Sequence, residues 1–475
     1  MSKATTAARG EPIDIVNVAD DSRVYNLYES REKIYTRQVE GFYQRLRLFT
    51  GWPLLLGYFL LPWINLDGRQ ALLFDLPARK FHVAWLTFWP QDFALLGWAL
   101  IIAAFALFFV TTWLGRIWCG YSCPQTVWTA IYMWMEQISE GSRNQRIKLD
   151  KMPWSMNKLI KKTIKHSMWL GFGLLTGVTF IGYFYGIRQM VVDIATLQMS
   201  WAALGWVLLF SFGTYLNAGW LREQVCLHMC PYARFQAVMF DRKTLIVSYD
   251  QQRGESRGPR KRSQKAAEHG LGDCIDCKLC VHVCPTGIDI REGLQYECID
   301  CALCIDACDD VMTKMGYQPQ LISYTTLAQV EGDKSSIWRP KLIGYGVATL
   351  VMALAFAATL YARVPLQLDV IRDRGALYQQ RPDGLVQNIY TLKIINMDNV
   401  DHQITLSVEG LSGIAFEAPQ RIEALSGEVL DLPVVVKINP EQVKQITNKI
   451  VFTITTEGDT PLIDKRESRF FGPTK

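Results

Sequence analysis

Cys274-Ile-Asp-Cys277-Lys-Leu-Cys280-Val-His-Val-Cys284-Pro285 is followed shortly by Cys298-Ile-Asp-Cys301-Ala-Leu-Cys304-Ile-Asp-Ala-Cys308. Cys-x-x-Cys-x-x-Cys wraps three corners of a tetrahedral sulfur cage in one tight loop, and the fourth corner comes from the distant Cys of the other stretch. The spacing predicts two [4Fe–4S] clusters. Cys274, Cys277, Cys280 and Cys308 would hold one; Cys298, Cys301, Cys304 and Cys284 would hold the other. Zinc also binds paired Cys-x-x-Cys, but the triple spacing twice over is an iron–sulfur pattern. Asp309 follows Cys308 where two-cluster ferredoxins carry Pro; that Pro shapes the loop and is no ligand. Asp309 and Asp310 add negative charge, which lowers a nearby cluster's potential. Electron-transfer and purely structural clusters both fit this spacing.

The other four of the twelve cysteines form two copies of Cys-x-x-x-Cys-Pro, at Cys119/Cys123/Pro124 and Cys226/Cys230/Pro231. Each follows a long apolar run. Trp113-Leu114 precedes Cys119 at the offsets by which Trp220-Leu221 precedes Cys226, and Ala130 and Ile131 match Ala237 and Val238 at the same shift. The pattern predicts a duplicated unit of two spans, motif and short helix, with the four cysteines brought near one another. Pro after the second Cys suits the first turn of a helix. Val127, Ile131, Trp134 and Ile138 recur at helical spacing, which predicts an amphipathic helix lying on the membrane surface. Thiolates at a helix mouth are favoured by its dipole. Three chemistries fit: a Cu(I)-type soft-metal site, a redox dithiol, or a further iron centre. Simple burial of free cysteines is the bland alternative. His228 and Met229 lie inside the second motif, and His228 is a candidate copper ligand beside Cys119, Cys123, Cys226 and Cys230. The first motif has Tyr121 and Ser122 there.

Five stretches are uncharged over about the length a bilayer core requires: 49–66, 93–114, 167–187, 199–221 and 342–362. Lys and Arg crowd the segment before the first span and the connection between the second and third, from Arg116 to Lys165. Intervening connections hold few, such as Arg188. That alternation predicts an inner N-terminus, an inner cysteine-rich module and an outer C-terminal domain. Clustered thiolates suit the reducing side, and residues after Cys308 contain none. No cleavable signal peptide is expected, because the first apolar run begins late. Ala353 and Ala357 offer a small-residue helix contact for a homo-oligomer.

The domain reading is 1–48 inner N-terminal segment; 49–249 membrane domain of four helices with both Cys-x-x-x-Cys-Pro motifs; 250–272 basic linker; 273–339 ferredoxin-like α+β module; 340–363 fifth helix; and 364–475 an all-β, Ig-like sandwich. The linker is read as a solvated connection, with anionic lipid head groups as the alternative contact. The sandwich is read from alternation at Tyr390/Leu392/Ile394, Ile404/Leu406/Val408, Val434/Val436/Ile438 and Ile450/Phe452/Ile454, with no Cys–Cys staple. Docking to an outer partner is its expected role. The net charge of +5 over 475 residues is scattered and does not point to nucleic acid. No Gly-x-Gly-x-x-Gly opens a helix after a strand, so dinucleotide binding is not indicated. No His falls mid-span, which argues against a haem between spans.

Together, Cys-Gly-Tyr-Ser-Cys-Pro at 119–124, Cys-Leu-His-Met-Cys-Pro at 226–231, the double cluster motif, five spans and the Ig-like tail resemble the CcoG/FixG/RdxA family of cytochrome c oxidase accessory proteins. The resemblance covers nearly the whole chain. It implies a multi-pass protein of the bacterial inner membrane with two [4Fe–4S] clusters on the eight module cysteines. It further implies reduction of Cu(II) to Cu(I), at Cys119, Cys123, Cys226 and Cys230, in support of cbb3-type oxidase maturation. Implied partners are oxidase subunits or copper-delivery proteins, with a cytoplasmic or quinone electron donor. A quinol-oxidising respiratory subunit and a non-enzymatic copper chaperone or scaffold with structural clusters are the competing readings.

Overall fold

The computed structural model describes residues 33–473 apart from 67, 265–269, 334–335, 337, 374, 399, 420, 444 and 459–460. The basic residues expected to orient the N-terminus, from Lys3 to Arg31, lie outside them. The helices used below are α1 (Phe42–Leu60), α2 (Phe93–Leu114), α3 (Ile117–Tyr121), α4 (Pro124–Glu140), α5 (Met156–Tyr185), α6 (Trp201–Thr214), α7 (Pro231–Met239), α8 (Leu303–Met315) and α9 (Pro340–Tyr361).

Among the described residues four helices are long and apolar enough to cross a membrane: Pro90–Leu114, Met156–Tyr185, Trp201–Leu221 and Pro340–Tyr361. Leu96, Leu100 and Ile101 on α2, and Leu350, Val351 and Leu354 on α9, point away from the protein. Apolar surface of that extent is stable only against hydrocarbon. The expected first span is absent from this group. It lies on α1, which starts earlier than expected and carries Arg45 and Arg47 in its opening turns. The α1 helix still runs the full depth of the bundle. Asp306 of α8 caps its start, accepting from the N–H groups of Tyr43 (3.1 Å) and Gln44 (2.7 Å). Its far end meets α5, where Tyr183 Oη donates to Tyr58 O at 2.8 Å. Nineteen residues of α-helix rise about 28 Å.

The antiparallel pair α2 and α9 links the two extramembrane domains at opposite ends. At one end Arg363 pairs with Asp92 at 2.5 Å. At the other, Arg339 donates to Thr112 O at 3.2 Å. Gly346 of α9 sits where a Cβ would lie 3.0 Å from the Phe109 ring, so the helices pack closely there.

The strand Leu245–Tyr249 pairs antiparallel with Ile322–Thr326, Val247 opposite Tyr324. This ladder closes the cysteine-rich module, so the module's first strand precedes the stretch read as a linker. That stretch folds back in part: Gly258 N–H donates to Cys274 O (3.3 Å) and Asp273 N–H to Arg253 O (2.9 Å). Cysteine loops bury little hydrocarbon, and Val247, Ile305, Met312 and Ile322 supply the missing core.

The C-terminal domain stacks two antiparallel sheets. One is ordered Ala415–Glu417, Val429–Ile438, Val386–Asn396, Leu366–Arg372, with Gln379–Gln380 added beside Val386–Asn396. The other is ordered Ile422–Ala424, His402–Glu409, Thr447–Thr456, Ile463–Phe471. Alternate residues Tyr390, Leu392, Ile394, Val434, Val436, Ile450, Phe452 and Ile454 fill the gap between them. Below the sandwich, the connection after α1 folds into a three-stranded meander, Leu72–Asp75, Lys80–Val83 and Leu86–Phe88. Its strands are too short for alternation to announce them. Lys80 Nζ reaches Gly427 O at 2.7 Å and ties it to the sandwich.

Candidate functional site

The two cluster-type loops repeat one backbone. Asp276 and Lys278 have φ of 51° and 54°; the matching Asp300 and Ala302 have 49° and 59°. Left-handed non-glycine residues are costly and persist where the surroundings fix them. Such alternation turns successive N–H groups to one side, a lining suited to an anionic cage. Around the loops the cysteines fall into two sets. One cavity is lined by Cys274, Cys277, Cys280 and Cys308 with Tyr249 and Arg291. A second is lined by Cys284, Cys298, Cys301 and Cys304, with Cys280 at the shared wall. Each set is a triplet plus the remote Cys of the other stretch, so both donor sets fit a [4Fe–4S] cubane.

Burial pushes the Cys280 thiol up to about 12 and the Cys301 thiol up to about 11, and raises Cys298, Cys304 and Cys308 as well. Buried thiolates of this kind are stable once iron replaces the proton. Among the described residues no three His, Cys, Asp or Glu side chains cluster tightly enough for one metal ion. Cys277 alone of the eight is exposed, while Cys274 and Cys280 in its own set and Cys298 and Cys301 in the other are buried. The first set therefore reaches solvent at Cys277.

The Cys-x-x-x-Cys-Pro motifs meet the second set. Cys119 lies within α3, and Cys123 and Cys230 occupy the positions just before α4 and α7, each with Pro in the first turn. Cys226 sits in a π-helical turn, Val225–Met229. The four thiols share one electrostatic neighbourhood. Burial pushes Cys119 up to about 12, and Cys123 and Cys226 add to it while Arg116 opposes. Cys226 is pushed up to about 11 by burial, then by Cys123 and Cys230. Burial also raises Cys123. The two motifs thus lie close enough for their thiols to act on one another electrostatically. His228 and Met229 are exposed on the outer side of the turn.

Gly120, Arg116 and Tyr296, which spacing does not announce, join this quartet to the second cysteine set, and Gln236 links the two motifs. At Gly120 a Cβ would lie 2.8 Å from Ile299 O, 2.9 Å from Asp300 O and 3.0 Å from Cys301 Cα. The first motif thus presses backbone to backbone on the Cys298–Cys301 loop. Arg116, 5% exposed, donates through its guanidinium to Cys298 O and Ala233 O, each at 3.1 Å, and to Tyr296 O. Its N–H donates to Asp300 Oδ2 at 2.9 Å. Gln236, fully buried on α7, accepts from Cys119 Sγ at 3.4 Å. The second motif is tied by Tyr296 Oη, which donates to Leu227 O at 2.6 Å. A Gly between cysteines and an Arg before them are visible in the sequence, but only the fold gives them a partner.

On the helix after the first motif Trp134 and Ile138 are each 56% exposed, while Val127, Tyr132, Met135 and Glu136 face inward. The inward face forms because α4 packs on α5 and on the π-helical turn Tyr215–Leu221, where Tyr132 Oη donates to Trp169 O at 2.9 Å.

Comparison with known proteins agrees with this geometry. Residues 221–327 match the family model described as a 4Fe-4S dicluster domain, and residues 96–140 match one described as a 4Fe-4S binding domain. Residues 356–473 match the Ig-like fold at the C-terminus of FixG, putative oxidoreductase. The chain is 38% identical to nitrogen fixation protein FixG of Rhizobium meliloti over 424 residues, 81% of this chain and 80% of that protein. It is 36% identical to protein RdxA of Cereibacter sphaeroides, over 86% of this chain and 87% of that one. A crystal structure of a FixG-related protein from Vibrio parahaemolyticus covers 22% of this chain and 95% of its own, at 34% identity and a TM-score of 0.21. The chain belongs to the FixG/RdxA family and is a membrane iron–sulfur redox protein.

Proposed function

We propose that this protein is a membrane oxidoreductase that reduces Cu(II) to Cu(I) in support of cbb3-type oxidase maturation. Cys274, Cys277, Cys280 and Cys308 would hold one [4Fe–4S] cluster, and Cys284, Cys298, Cys301 and Cys304 the other. Bound clusters supply one-electron storage and transfer. The chain's own residues do the rest. Exposed Cys277 marks where a donor approaches. Gly120 and Arg116 hold the first thiol pair against the inner cysteine loop, which keeps the electron's path short. The quartet Cys119, Cys123, Cys226 and Cys230 receives Cu(II), which takes one electron and leaves as Cu(I). Soft thiolates favour Cu(I), so the ligands themselves pull the reaction forward. The observation that carries this reading is the Gly120 approach to Ile299–Cys301.

In this reading α1 is a fifth crossing. The N-terminal side and the module are cytoplasmic, and the sandwich is periplasmic, where it docks oxidase subunits or copper-delivery proteins. The Lys/Arg distribution and the full-depth course of α1 support that arrangement.

A second reading is favoured by the 4Fe-4S match over 96–140, which contains Cys119 and Cys123: the quartet holds a third iron centre. Two experiments decide. Anaerobically purified protein holds about eight iron atoms per chain in the first reading and about twelve in the second. Changing Cys226→Ser and Cys230→Ser together abolishes Cu(II) reduction while the clusters' absorbance persists; unchanged reduction rejects the copper reading, and a loss of about a third of the absorbance supports the third centre.

A further inference from the structure

Beside the redox centre, the end of α4 carries Glu136 and Glu140, both fully buried. Lys33 Nζ lies 2.8 Å from Asp150 Oδ2 and 3.4 Å from Glu136 Oε1. Arg146 and Arg222 each reach Glu136 Oε2 at 3.0 Å. Lys162 Nζ lies 2.8 Å from Glu140 Oε1 and 2.5 Å from Asp150 Oδ1, and Lys165 Nζ 2.9 Å from Glu140 Oε1. Among the described residues this network sets five cations against three carboxylates. Glu223, buried beside Arg222, offsets part of this excess; the remaining positive charge sits in a group largely removed from water, where uncompensated charge is costly.

A cavity of ≈ 450 Å³ opens onto this surplus, lined by Lys33, Lys162, Lys165, Arg222, His166 and Trp220 among others. Trp220 is 54% exposed at the π-helical end of α6, and α5 passes from its lysine-bearing turns into its apolar stretch at this level. Trp and Lys so placed mark the head-group layer of a bilayer. We infer that the cavity binds a phosphate-bearing anion, with the head group of an acidic phospholipid as the source favoured by its level. The ammonium groups supply donors to phosphate oxygens, and the anion completes the charge balance. Arg222 also lines the space beside Cys226, so a bound anion would steady the approach to the second motif.

The test uses the full chain in a zwitterionic detergent. Native mass spectrometry should show phosphatidylglycerol retained at least about tenfold over phosphatidylcholine. Lys33→Gln lowers the surplus without stripping Glu136 of Arg146 and Arg222, and should weaken retention. Glu140→Gln raises the surplus and should strengthen it. A rise in unfolding temperature with inorganic phosphate equal to that with the lipid supports the site with a soluble anion as its source; a rise with lipid alone supports the head group. Equal retention of both lipids, with no phosphate effect and no opposite response of the two variants, overturns the inference.

Discussion

Cys119-Gly-Tyr-Ser-Cys123 and Cys226-Leu-His-Met-Cys230 share their spacing and differ in their surroundings. The first forms an α-helical turn with Tyr121 buried, pressed on the Cys298–Cys301 loop. The second is π-helical, with His228 and Met229 turned outward. Three residues before the first Cys of each motif stand Arg116 and Glu223, charges of opposite sign that both act on the Cys226 thiol. Duplication sets where the sulfurs lie, and the neighbours set what each copy does. The first copy is the contact to the module. The second, in a helical form common at functional sites, is the open side of the quartet.

Exchanging one residue between the copies is the strongest way to break that comparison. Gly120→Leu, the residue of the second copy, drives a side chain into the carbonyls of Ile299 and Asp300. Those atoms belong to a cysteine loop and have nowhere to go. Overpacking of this kind costs about 3 kcal/mol or more. The expected outcome is loss of iron from the Cys298 set and a lowered unfolding midpoint. The converse Leu227→Gly should cost only about 1 kcal/mol. Equal effects would mean that the copies dock alike.

Next is Arg116→Met, which keeps length and removes the guanidinium. It leaves the carbonyls of Cys298 and Ala233 without this donor in a buried setting. Unpaired buried carbonyls cost about 1–3 kcal/mol each, so a loss on the order of 3 kcal/mol is expected in denaturant unfolding followed by cluster absorbance. A loss below about 1 kcal/mol would show that Arg116 is incidental to docking.

The helices after the motifs differ too: Pro124–Glu140 outlasts Pro231–Met239 and carries Glu136. Burial alone would raise this carboxyl, but Arg222, Lys33, Arg146 and Lys165 outweigh it and hold it down at about 2 against an ordinary 4.5. The folded chain therefore binds this proton less readily than the unfolded chain. The stabilisation is complete above about pH 4.5 and is lost as the pH falls toward 2, on the order of 3 kcal/mol in all. The difference in unfolding temperature between wild type and Glu136→Gln should shrink over that window. A difference independent of pH would place the stabilisation elsewhere.

Cysteine spacing made the module and the repeat legible, and period-2 alternation made the sandwich legible, since Tyr390, Leu392 and Ile394 all point inward. Local pattern carries these because each is a property of a few consecutive residues. Gly120, Arg116, Asp306 and the Glu136 network were not legible, because their roles depend on partners far along the chain. The π-helical end of α6 had no sequence signal either: Tyr215–Leu221 keeps its apolar character through the change of winding. The spacing of α4 marks Trp134 and Ile138 as one apolar stripe; that Tyr132 and Met135 form the opposite, buried face depends on partners from other helices.

The smallest expected effect sharpens the comparison most finely, because it concerns the only imidazole within either motif. His228 is exposed, and Tyr121 stands at its place in the first copy, buried against the module. The four thiols are each partly buried, whereas His228 stands exposed outside them. His228→Ala should therefore lower Cu(II) reduction by less than about tenfold, below the loss typical when a group supporting a metal site is removed, with folding unchanged. Cys226→Ser, one turn away, should act through the thiol quartet and stop reduction altogether. If His228→Ala matched the cysteine variant, the second motif would be a mixed sulfur–nitrogen metal site, and the two copies would differ in chemistry as well as in surroundings.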